Sequence, residues 1–109
     1  MEKIVHYTED VDDYLDELLE LLFDKGYFSF SDLAKEYKTK LMEYIKKYIG
    51  LGGKTAPNYF TRYGTNLKYI TYQSNQNTTW YVFYQEMGNA FLVRYITNNH
   101  VSAARFFNL

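Results

Sequence analysis

Two spacings of apolar residues divide the chain. In "TEDVDDYLDELLELLFDKG" (8–26), Val11, Tyr14, Leu15, Leu18, Leu19 and Leu22 recur every three or four positions, the spacing of one face of a helix. Thr8 is a natural N-cap for it. Glu9, Asp10, Asp12 and Asp13 fall in its first turn, where the positive end of the helix dipole favours carboxylates. Gly26, after Lys25, supplies the stop. The acidic cluster therefore has a structural explanation, and no metal site is expected there. The same spacing returns in "FSFSDLAKEYKTKLMEYIKKYIGLGG", where Leu33, Ala34, Tyr37, Leu41, Tyr44, Ile45 and Tyr48 make the stripe. Ser29 and Asp32 are spaced like a capping box, Lys46 and Lys47 lie near the favourable end for cations, and Gly50, Gly52 and Gly53 close the helix. A short connection between the two predicts an antiparallel hairpin whose apolar face must be covered.

Elsewhere the period is two. "EKIVHYT" predicts a short edge strand with Ile4 and His6 on one face and Val5 and Tyr7 on the other. "LKYITYQ" (67–73), "TTWYVFYQ" (78–85) and "AFLVRYIT" (90–97) predict three more strands, joined at hairpin lengths by "SNQN" and "EMGN". The middle one is apolar on both faces, Trp80, Val82 and Tyr84 against Tyr81 and Phe83, which predicts a central strand covered on each side. "GGKTAPNYFTRYG", with the only proline, reads as an exposed connection, and "NNHVSAARFFNL" as a loop and a helical turn with Val101, Phe106 and Phe107 packing back. The expected fold is α+β: one domain over residues 1–109, with a helix hairpin packed on one face of a small antiparallel sheet in the order β-α-α-β-β-β.

Composition changes this picture in three ways. Aromatic residues make up 20% of the chain, with 13 tyrosines, whose apolar bodies and polar tips suit half-buried sheet faces and stacking platforms. The net charge of −1 conceals an asymmetry. Residues 1–53 carry 12 acidic and 7 basic side chains, whereas residues 54–109 carry Lys54, Arg62, Lys68, Arg94 and Arg105 against Glu86 alone. A positive C-terminal half is compatible with an anionic partner; helices also simply carry more surface charge than strands. The absence of cysteine excludes disulfides and thiolate metal sites and fits a reducing compartment. No apolar run approaches the ~20 residues of a membrane span, and Met1 is followed by a charged pair rather than an apolar leader. A soluble, cytoplasmic protein is expected.

The element order, ending in "TTWYVFYQEMGNAFLVRYITNNH", resembles the RelE/ParE superfamily of bacterial toxins from type II toxin–antitoxin modules. "KIVHYTEDVDDYLDELLELL" looks like that family's opening strand and first helix, "SFSDLAKEYKTKLMEYI" like its second helix, and "WYVFYQEMGNAFLVRYI" like its tyrosine-rich hairpin. The resemblance implies a toxin neutralised by a cognate antitoxin and acting on ribosome-bound messenger RNA. For the ParE branch it implies instead non-enzymatic inhibition of a topoisomerase. A domain that kept the fold and lost the site is the third reading. Members that cleave RNA often carry an arginine before the final hairpin turn and a basic cluster after the last strand. Here those places hold Tyr81, Val82 and Phe83, and Thr97, Asn98, Asn99 and His100.

Metal-independent RNA cleavage needs a base for the 2′-hydroxyl, a cation for the phosphate and an acid for the leaving oxygen, and calls for no cofactor. His100 is the candidate for proton transfer and Arg94 for bidentate phosphate binding. Lys54, Arg62 and Lys68 can attract the backbone, and Tyr72, Tyr81 and Tyr84 can stack on a base, with Tyr84 also a proton donor. Each has a structural alternative: a histidine after a strand as a turn residue, an arginine laid across a sheet, and tyrosines as core.

Overall fold

The computed structural model describes residues 3–24 and 31–99. Its elements are β1 (Ile4–Tyr7), α1 (Glu9–Asp24), α2 (Ser31–Tyr48), β2 (Lys54–Thr55), a 3-10 helix (Asn58–Tyr63), β3 (Lys68–Asn75), β4 (Thr78–Met87) and β5 (Ala90–Asn98). They build an α+β domain around one five-stranded sheet in the order β1-β5-β4-β3-β2. No helix among the described residues is long and apolar enough to cross a membrane.

The sheet is mixed, not antiparallel as the sequence suggested. β1 runs parallel to β5, with Ile4 beside Ala90 and Tyr7 beside Val93, while the other pairs are antiparallel. The helical segment between β1 and the rest of the sheet is the long crossover that a parallel pair requires. β1 does lie at the edge and β4 at the centre, as their patterns predicted.

Both faces of β4 are buried, by different partners. Val11 and Leu15 of α1 and Leu41 and Ile45 of α2 pack with Ile70, Trp80, Val82, Tyr84, Val93 and Ile96. Each large side chain so buried contributes about 1.5–3 kcal/mol relative to exposure. The Trp80 indole N–H donates to the Tyr37 hydroxyl at 2.7 Å, and that hydroxyl also bonds the Ser74 hydroxyl, so the polar tips under α2 are satisfied. On the opposite face Tyr81 and Phe83 pack with Phe60 and Leu67.

That second layer corrects the reading of 52–64 as an exposed connection. The segment contains β2 and the 3-10 helix, and Phe60 is fully buried, its ring stacked on Phe83 at 4.3 Å. A sheet apolar on both sides leaves Tyr81 and Phe83 exposed unless the chain returns across them, and this segment makes that return.

The polar end of β5 is structural. Thr97 and Asn98 are fully buried. Asn99 accepts the Thr79 backbone N–H at 2.9 Å and donates its own amide to the Asn77 carbonyl at 2.9 Å, pinning the β3–β4 turn to the last strand. Gly26, Ser29, His100 and the 101–109 tail lie outside the described residues.

Candidate functional site

An irregularity in β5 shapes a cleft beside it. Phe83 faces Tyr95 and Tyr84 faces Val93, so Arg94 has no opposite number on β4. Such a bulge turns two neighbouring side chains the same way. Val93 and Ile96 both join the helix-side core, whereas Tyr95 packs with the opposite layer. Arg94 is turned toward the 3-10 helix, where its Nε donates to the Tyr63 carbonyl at 2.9 Å. That bond uses one of the five N–H donors of the guanidinium. Gly64 makes room for this: a Cβ there would lie 3.3 Å from Arg94 Nε and 3.0 Å from Gln85 Nε2, and Gln85 in turn donates to the Thr65 carbonyl at 2.9 Å.

The cleft measures about 520 Å³ and lies between the start of α1, the end of the 3-10 helix and β5. Arg62 is its second cation, with Nε donating to the Tyr59 carbonyl at 3.2 Å and the guanidinium 4.1 Å above the Tyr59 ring. Tyr63 and Tyr95 stack almost in parallel at 3.9 Å, and Tyr14 of α1 lies 5.9 Å from Tyr95. Burial, followed by the hydrogen bond with Tyr95, pushes the Tyr63 phenol up to about 12, and burial also raises Tyr95. Both are protonated donors at neutral pH. Thr8 closes the α1 side, its hydroxyl accepting the Val11 N–H at 3.2 Å, and Asp10 is the one carboxylate among the lining residues. The chemistry on offer is recognition of an anion by two guanidiniums and neutral phenols, beside a stacked aromatic wall.

The candidates from sequence separate into groups. Arg94 and Arg62 come together in this cleft. Lys54 lies on β2 beside a smaller cavity of about 180 Å³ with Tyr48 and Leu51, and Lys68 pairs with Glu86 at 3.5 Å. Tyr72 faces the helices and stacks on Tyr44 at 4.3 Å. Tyr81 and Tyr84 are corrected as stacking or proton-donating groups: they are 1% and 0% exposed, so neither ring presents a face to a base. The Tyr84 hydroxyl is covered so closely by Gly53 that a Cβ there would collide with it. Both are core because β4 is the central strand. His100 lies outside the described residues. Tyr14, Tyr63 and Tyr95 were not singled out by sequence as site residues. The usable signal for Tyr63 was its place in "TRYG", an arginine and a glycine flanking an aromatic.

No protein family model, characterised protein or solved structure matches the chain.

Proposed function

We propose that this chain is a RelE/ParE-like toxin of a type II toxin–antitoxin module, and that the cleft between α1, the 3-10 helix and β5 takes the backbone of single-stranded RNA. The observation that carries this reading is the pairing of Arg94, displaced from the strand register by the bulge, with Arg62 on a tyrosine-lined wall. Guanidiniums recognise phosphate oxygens through paired N–H groups, and the rings offer stacking surface for an unpaired base. Ribosome-dependent cleavage follows if His100 supplies the proton transfer. The fold and the activity proposed here share one test. Expression of the full chain without its cognate antitoxin arrests growth, co-expression of the neighbouring short reading frame restores it, and primer extension maps new 5′ ends in messenger RNA. Normal growth with abundant soluble protein would sink the toxin reading.

One observation favours the non-enzymatic alternative, a topoisomerase inhibitor acting by binding. Burial pushes the Tyr63 and Tyr95 phenols up, away from neutrality, and no imidazole lines the cleft among the described residues. Growth arrest with intact messages and accumulating DNA breaks selects that alternative.

A further inference from the structure

Among the described residues β1 is an edge strand with β5 on one side only. The N–H groups of Ile4 and Thr8 donate to the Asn89 and Val93 carbonyls. Even-numbered residues of β1 therefore aim their backbone at β5, and Val5 and Tyr7 aim theirs outward. An open row of this kind is a template for another strand. The edge has little to discourage one: it holds no proline, its four side chains are Ile, Val, His and Tyr, and Ile4 is 47% exposed.

From this edge we infer that two copies of the chain associate through antiparallel pairing of β1 with β1, around a two-fold axis at His6. The row is self-complementary. With His6 opposite the partner's His6, Val5 faces the partner's Tyr7 and Tyr7 the partner's Val5, so the outward groups of both residues form hydrogen-bonded pairs in both directions. In the same register Ile4 lies opposite the partner's Thr8, and Lys3 comes beside the acidic first turn of the partner's α1, which opens on Glu9 and Asp10. The pair of opposite charges repeats on either side of the axis. Lys3 already donates to the Lys47 carbonyl at 2.6 Å, and an ammonium has three donors, so that bond leaves it free to reach a carboxylate. Directly opposite residues share a face of the sheet, which places both helix hairpins on one side of a continuous ten-stranded sheet. The paired strand is short, so the dimer is reversible and concentration-dependent. This association is independent of the toxin reading.

Sedimentation equilibrium of the full chain, from low to several hundred micromolar, reads it directly. The mass rises from 13.0 kDa toward twice that value; a monomer throughout overturns the proposal. The chain has no cysteine, so the register can be read by substitution. His6→Cys cross-links to a covalent dimer under mild oxidation, because opposite residues of a non-hydrogen-bonded pair lie within disulfide reach. Ile4→Cys, on the same face, stays monomeric in the same assay, because its counterpart lies about 13 Å away at ~3.3 Å per residue. Cross-linking of both variants, or of neither, overturns the register. Lys3→Glu weakens association about tenfold and Lys3→Glu with Glu9→Lys restores it; a double variant as weak as the single one also counts against it.

Discussion

Gly64 decides where Arg94 can lie. With a methyl group at that position, 3.3 Å from Arg94 Nε and 3.0 Å from Gln85 Nε2, both polar ends must shift. Each is the far end of a flexible side chain, so the fold survives at a cost of about 1 kcal/mol, while the bond from Arg94 to the Tyr63 carbonyl is disturbed. Gly64→Ala is therefore expected to lower RNA affinity severalfold, measured by fluorescence anisotropy on a single-stranded oligonucleotide, with only a small fall in melting temperature. Arg94→Lys should lose more, since an ammonium cannot keep the Tyr63 bond and also present a planar fork. At the same scale, Tyr63 and Tyr7 are both raised from 10.0 to about 12, Tyr7 by burial and then by Asp12. The folded state thus holds protons that the unfolded state has released, so their contribution is fully present below pH 10 and is lost as pH rises toward 12. Thermal melts across that window should show falling stability. Tyr63→Phe or Tyr7→Phe should each flatten the slope, and an unchanged slope in both would refute the assignment.

The elements that sequence made legible are those whose burial pattern is regular. Val11 and Leu15, Leu41 and Ile45, and the alternating residues of β4 occupy the positions that periods of 3.6 and 2 assign them, because each packs against a neighbour with the same geometry. What sequence did not show arises from breaks in period. Arg94 is a phosphate-binding candidate in "AFLVRYIT", but nothing in that run shows the bulge that turns it and Tyr95 to the same side, because a bulge depends on the partner strand as much as on its own residues. The 3-10 helix was hidden for a different reason: six residues behind a proline, between glycines, look like a loop, and only the apolar second face of β4 requires them to pack. Phe60 is the test of that element. Fully buried and stacked on Phe83, it anchors the segment that carries Arg62 and Tyr63. Phe60→Ala should destabilise the domain by about 3–5 kcal/mol, and RNA binding should fall even at temperatures where the circular dichroism remains native. Unaltered binding in a folded Phe60→Ala variant would show that the 3-10 helix does not hold the site.

Across the whole molecule the charges are divided by layer. Residues 1–53, which include both helices, hold 12 acids and 7 bases, while Lys54, Arg62, Lys68 and Arg94 belong to the sheet and its covering segment. An RNA strand approaching the helix side meets net repulsion, and the sheet side offers two separate cationic regions. These have different standing. Arg62 and Arg94 converge in one cleft, whereas Lys54 lies by another cavity and Lys68 is engaged with Glu86. Salt dependence separates local recognition from diffuse attraction, because each phosphate neutralised on a single strand contributes about −0.7 to the slope of log affinity against log salt. Binding confined to the cleft predicts a slope of about −1.4 for its two guanidiniums. Contribution from both lysines would steepen it to about −2.8. The cleft model further requires that Arg62→Ala halve the slope while Lys54→Ala leaves it unchanged. If removing Lys54 flattens the slope as much as removing Arg62 does, the RNA follows the whole positive layer, and the bulge at Arg94 is a feature of the sheet alone.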